Sequence, residues 1–239
     1  MKSSIKFLFF LLMVCFFVLE SCGTVDMDAS NSSSGGNGEP GISSGSNSNQ
    51  IYDTVVIGTQ TWMAENLNYN VNGSRCYDND PANCTKYGRL YDWAAAMDLP
   101  RSCNNESCSS QMQLKHKGVC PSGWHIPNND DWNVLINYVG GSSSAGSELK
   151  AKNGWYNCGT FGSASSNLCE DTYDFTALPG GYGSSGNFYN VGTYGNWWTA
   201  SEYGVSNAYF KYMHYNSENV YGTITGKSSF RSVRCIKDE

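Results

Sequence analysis

The chain has little charge, few histidines and no long apolar run. Lys, Arg, Asp and Glu make up 15% of its 239 residues, with 21 acids against 15 bases. No basic stripe can neutralise phosphates, so nucleic acid is excluded as the expected partner. Three histidines are present, His116, His125 and His214. His125 sits in the strand-like segment Trp124–Ile126, where a hydrogen-bonded structural role is the ordinary case. No carboxylate or nucleophile is spaced to meet the other two. No catalytic residue, metal ligand or cofactor is therefore assigned. The apolar run Phe7–Leu19 covers thirteen residues, short of the roughly 20 that a membrane-spanning helix needs. No strand–helix–strand rhythm appears, which argues against a doubly wound or barrel enzyme. No internal repeat is present. What the chain does have is aromatic mass, 14% with 16 Tyr and 7 Trp, and ten cysteines. Such a chain can bury a core, and its cysteines point to an oxidising compartment.

The N-terminus reads as an address. Lys2 and Lys6 precede the apolar run, and small residues follow it, as in a bacterial export signal. Leu19-Glu20-Ser21-Cys22 resembles a lipobox, with Glu20 as its departure from the usual small or apolar residue. Residues 1–21 are thus expected to be a lipoprotein signal peptide and Cys22 the lipidated mature N-terminus. Between Ser30 and Gln50, 17 of 21 residues are Ser, Gly or Asn. That composition cannot bury apolar surface and predicts a flexible tether over residues 22–50, with an end-to-end distance of roughly 30 Å. Asp26 and Asp28, just after Cys22, resemble a surface-export signal. The expected location is the bacterial outer membrane, by lipid anchor, with exposure at the cell surface.

Residues 51–239 form the expected folded domain. Leu90, Trp93, Ala94 and Met97 share a helical face and predict a helix over residues 88–97. Trp132, Leu135, Ile136 and Val139 predict a second helix, started by the N-cap residue Asn128 and stopped by Gly140 and Gly141. Strands are expected over 54–57, 61–63, 124–126, 197–201, 208–213 and 229–236. In the last, Val233 and Cys235 are expected inward and Ser232 and Arg234 outward. Few helices, short strands and long Gly/Ser/Asn-rich loops predict an irregular, disulfide-stapled α+β domain. Sequence proximity pairs Cys76 with Cys84, Cys103 with Cys108 and Cys158 with Cys169, which leaves Cys120 for Cys235.

Four patterns mislead. Cys103, Cys108, His116 and Cys120 can be drawn as a zinc site, but no paired C-x2-C signature is present. Gly181–Gly186 spells G-x-G-x-x-G without a preceding strand or a following helix, and reads better as a hairpin loop. Gly41–Gly45 spells G-x-S-x-G inside the tether, where no sheet can strain it. Asp78-Asn79-Asp80-Pro81 lacks the Gly and Glu of a calcium loop and reads as a turn.

Ordered segments carry a family resemblance: IGTQTWMAENLN (57–68), YGRLYDW (87–93), CPSGWHIP (120–127) with Trp132, FTALPGG (175–181), WWTASE (197–202) and SVRCI (232–236). Together they resemble the Fibrobacter succinogenes major paralogous domain over essentially all of residues 51–239. The resemblance implies an exported, often lipid-anchored bacterial protein. The order of a Trp-Pro strand, one helix, paired Trp and a final Cys strand is also similar to the C-type lectin and formylglycine-generating-enzyme fold group.

Three functions compete. The first is a non-enzymatic binding module for polysaccharide, with Trp155, Tyr156, Tyr182, Tyr189, Tyr194 and Tyr203 as candidate stacking residues outside the core pattern. Trp62, Trp93, Trp124, Trp132, Trp197 and Trp198 are expected in the core. The second is a structural or adhesin-like envelope protein that contacts other proteins. The third, an oxidase of the formylglycine-generating branch, would need two reduced, adjacent thiols for copper.

Overall fold

The computed structural model describes residues 52–156, 158 and 168–239. Cys22, the signal and the tether lie outside the described residues. In chain order the strands are β1 (Thr54–Ile57), β2 (Gln60–Met63), β3 (Ser74–Arg75), β4 (Leu90–Tyr91), β5 (Trp124–His125), β6 (Tyr182–Ser184), β7 (Asn187–Tyr189), β8 (Tyr194–Tyr203), β9 (Asn207–His214), β10 (Val220–Gly226), β11 (Arg231–Ser232) and β12 (Ile236–Lys237). The helices are α1 (Pro81–Tyr87), α2 (Trp93–Ala96), α3 (Asn129–Tyr138) and α4 (Ala145–Leu149). A four-stranded sheet runs β1-β2-β12-β5, a six-stranded sheet runs β10-β9-β8-β11-β4-β3, and β6-β7 form a separate hairpin. The fold is α+β, mostly sheet.

The six-stranded sheet separates two cores. Successive strand residues point to opposite faces, so Trp197 and Trp198 part company. Trp197 joins Trp62, Trp132 and Phe175, with ring centroids 5.1–6.1 Å apart. Trp198 joins Trp93, Tyr91 and Phe210. Their indole N–H groups find acceptors inside: Trp197 donates to Asn66 Oδ1 (2.8 Å), Trp198 to the Tyr91 carbonyl (2.8 Å) and Trp93 to the Thr199 carbonyl (3.1 Å). That satisfaction is what lets such large amphipathic rings be buried. Of the six tryptophans expected in the core, only Trp124 is half-buried rather than sealed.

Helix α3 starts as its sequence predicts. Asn128 Oδ1 accepts from the Asp130 and Asp131 N–H groups (2.7 and 3.0 Å), and Asp131 Oδ2 accepts from the Asn128 N–H (2.9 Å). This reciprocal box satisfies amides that a helix start leaves without partners. The helix expected over 88–97 is instead strand β4 followed by the single turn α2. Leu90 and Tyr91 are held between β3 and β11, and sheet pairing overrides a weak helical preference. Asp92 then caps α2 by accepting from the Ala95 N–H (2.9 Å). The turn expected at Asp78–Pro81 runs into α1, which Asp80 caps and Pro81 begins, a favoured pairing.

The expected final strand, 229–236, is split. Its β11 half belongs to the six-stranded sheet and β12 to the four-stranded one. Ser232 and Arg234, expected to face out, are 1% and 0% exposed. A segment that crosses between two sheets is covered on both faces, so alternation no longer marks an outside.

Candidate functional site: an aromatic trough

One face of the six-stranded sheet stays partly open. Register places Asn196, Tyr212 and Tyr221 in one cross-strand row and Trp198, Phe210 and Thr223 in the next. Tyr212 stacks on Tyr221 with centroids 4.9 Å apart and planes 17° apart. Tyr194 lies 6.1 Å from Tyr212 on the same face. The hairpin β6-β7 forms one wall through Tyr182, which stacks on Tyr189 at 5.4 Å. The resulting trough encloses about 400 Å³, with rings in its floor and wall and hydroxyl and amide groups such as Thr223, Thr225 and Asn196 between them. Flat rings with polar edges suit a ligand that has apolar faces and hydroxylated edges. Burial raises the Tyr212 phenol, and the neighbouring Tyr221 and Tyr194 add to that rise.

The hairpin wall owes its position to glycines. Gly183 exchanges two backbone hydrogen bonds with Phe230 (3.0 and 2.8 Å), and a Cβ there would meet Phe230 Cβ at 3.0 Å. Ser185 and Gly186 both take positive φ at the turn (49° and 81°), as a two-residue hairpin of the primed type requires. The G-x-G-x-x-G run is therefore a hairpin in which close packing on Phe230 calls for Gly183 and positive φ calls for Gly186. A smaller cavity of about 230 Å³ abuts the same hairpin beside Arg75, Arg101 and Phe188.

Arg231 lines the trough. Its guanidinium carbon lies 4.6 Å from the Tyr182 ring centroid and 4.8 Å from that of Phe210. Burial lowers its pKa to about 10, against the Coulombic effect of Tyr182, and it stays charged at neutral pH.

The six aromatic candidates do not form one surface. Tyr182 and Tyr194 line the trough, and Tyr189 backs Tyr182. Tyr203 packs on Tyr209 at the C-terminal end of β8, and Tyr156 on Tyr215. Trp155 is 3% exposed and donates to the Ala177 carbonyl (2.9 Å), so it belongs to the core, not the surface set. Sequence reasoning missed Phe210, Tyr212, Thr223 and Arg231. The alternation Ala208, Phe210, Tyr212 was a usable signal for a shared face, but nothing local says that this face is uncovered at one end.

The eight cysteines of the described residues form four disulfides: Cys76–Cys84, Cys103–Cys108, Cys120–Cys235 and Cys158–Cys169. The cysteines of the drawn zinc spacing are thereby consumed, and His116 Nε2 donates to the Met97 carbonyl (2.8 Å). No thiol pair remains among the described residues for copper. His125 Nδ1 donates to Asp238 Oδ1 (2.7 Å), and Nε2 lies 3.6 Å from Asp131 Oδ2. Among the described residues no helix is long and apolar enough to cross a membrane.

The family model of the Fibrobacter succinogenes major domain matches residues 55–237. The chain belongs to that family. The matched span runs from β1 to β12 and holds all four disulfides, so the trough is a feature of the Fibrobacter succinogenes major domain itself in this chain. No curated protein and no solved structure matches the chain.

Proposed function

We propose that this protein is a non-enzymatic binding module of the bacterial cell envelope, held by lipid at Cys22 and presenting the trough to polysaccharide. The observation that carries the reading is the gathering of Tyr182, Tyr194 and Tyr212 around one open trough. Sugar rings have an apolar face that stacks on tyrosine and hydroxyl edges that bond to Thr and Asn. The export signal, the lipobox-like Leu19–Cys22 and the Ser/Gly/Asn-rich tether support an anchored domain held clear of the outer membrane. The motif order supports the C-type lectin and formylglycine-generating-enzyme group as the wider fold.

Affinity electrophoresis against cellulose, xylan and pectin tests the reading. Retardation by at least one polymer is expected, with loss on Tyr182→Ala and Tyr212→Ala. No retardation on any polymer, together with capture of a defined envelope protein from intact cells, would replace it with the adhesin-like reading. Cys22→Ala is expected to leave the membrane fraction; persistence there would refute the anchor.

A further inference from the structure

We propose that the polysaccharide recognised by the trough carries carboxylates, as a uronate polymer does, and that Arg231 is the residue that pairs with them. This inference rests on the polysaccharide reading of the trough.

Arg231 is a buried cation with no ion-pair partner among the described residues. It is 5% exposed. The ion pairs among the described residues are His125 with Asp131 and Asp238, and Lys227 with Glu202; none involves Arg231. A guanidinium has five N–H donors. Nη1 donates to the Phe230 carbonyl (3.0 Å), and Nε has no partner among the described residues. Nη2 has no acceptor there either, and unlike Nε it is not sealed from solvent.

The other buried cations show what satisfaction looks like here. Lys227 bonds to Glu202 and to the Glu106 and Val205 carbonyls. Arg234 bonds to Asn66 and to the Phe175 and Thr176 carbonyls. Lys150 donates to the His214 and Ser217 carbonyls (3.0 and 2.7 Å). A buried charge without such partners is costly. Arg231 departs from this pattern in the lining of the open trough, where a ligand can approach.

Geometry selects the ligand chemistry. The Tyr182 and Phe210 rings lie close against the guanidinium, while its N–H groups remain directed along its own plane. A carboxylate is the planar acceptor that matches this fork. In a uronate the carboxylate is bonded to the sugar ring. A ring stacked on the trough tyrosines therefore brings its charge to Arg231 without a long spacer. The chain as a whole carries a formal charge of -6, so general attraction of polyanions is disfavoured and recognition depends on this local cation.

The test is affinity electrophoresis of the full chain in mild nonionic detergent. The probes are polygalacturonate, the same polymer methyl-esterified, neutral xylan, polyglutamate and dextran sulfate. Polygalacturonate is expected to bind at least about tenfold more tightly than its ester, the usual scale for a charge-assisted hydrogen bond. Arg231→Gln is expected to abolish that preference, so that acid and ester are bound alike; a preference that survives in this variant overturns the assignment to Arg231. Should this variant fail to fold, the comparison of acid with ester decides alone, because it leaves the protein unchanged. Equal binding of acid and ester overturns the carboxylate inference and leaves the polysaccharide reading standing. Polyglutamate or dextran sulfate bound as tightly as polygalacturonate overturns it in favour of nonspecific anion capture. No retardation by any polymer overturns both readings.

Discussion

Arg234 and Asn66, 168 positions apart, are joined by two hydrogen bonds: the guanidinium donates from Nε (3.2 Å) and Nη2 (3.0 Å) to the amide Oδ1. The same oxygen accepts from the Trp197 indole, and Asn66 Nδ2 donates to the Tyr87 carbonyl (2.8 Å). Asn66 thus ties the segment after β2 to the β11–β12 crossing and to the Trp197 core. Asn66→Leu is expected to leave a buried guanidinium and an indole short of acceptors and to cost about 3–5 kcal/mol. Urea unfolding followed by tryptophan fluorescence checks this; a loss near zero would show that the cluster rearranges around the leucine.

The disulfides are expected to differ in worth. Cys120–Cys235 spans 115 positions and Cys103–Cys108 spans 5. On the chain-entropy account the first contributes about 5 kcal/mol and the second about 2 kcal/mol. Replacing each pair by alanines and comparing denaturant midpoints tests the order. A larger loss for the short loop would mean that native packing, not loop closure, sets their value.

Stability is expected to fall on the alkaline side through His125. Burial alone would lower its pKa, but Asp131 and Asp238 outweigh burial and raise it above the ordinary value. A raised folded-state pKa means stability that is complete below pH about 6.5 and is lost as pH rises through the folded pKa. Asp238 is 42% exposed, so salt weakens the effect. Unfolding between pH 5 and 9 should show this loss in the parent chain and a shallower one in Asp238→Asn. Parallel profiles would contradict the assignment.

The acid side is expected to depend on Glu202. Burial would raise its pKa, but Lys227, the Cys108 N–H (2.9 Å) and the Ser107 hydroxyl (3.1 Å) hold it below the ordinary value. A lowered pKa means stability present above the ordinary value and lost as pH falls through the folded one. Glu202→Ala, which strands the buried Lys227, is expected to cost about 3–5 kcal/mol at pH 7. It should also flatten the acid limb of an unfolding series run from about pH 6 down to about pH 2.

Gly183→Val separates wall from fold. A Cβ at Gly183 already lies 3.0 Å from Phe230 Cβ, and the two added methyls of valine should push the β6-β7 hairpin off the trough. Polymer retardation is expected to drop about tenfold or more, since Tyr182 moves with the hairpin, while the two cores stay intact. Unchanged retardation would show that Tyr182 is not part of the binding surface.

Local signals decided α3, whose Asn128–Asp131 box and apolar spacing agree within one stretch of chain. They also decided the α+β class and the cysteine pairs, since three pairs are near neighbours and the fourth is what remains. Tertiary structure alone decided where Trp197 and Trp198 go. Alternation says that neighbours face opposite ways, not which core waits on each side. Leu90 and Tyr91 became strand because β3 and β11 flank them, and Arg234 turned inward because the chain there passes between two sheets. Arg231 and Arg234 look alike in sequence, two arginines three residues apart. One is saturated by Asn66 and two carbonyls, and the other is left short of acceptors beside an open trough. That difference is set by partners from distant parts of the chain, and no local pattern encodes it.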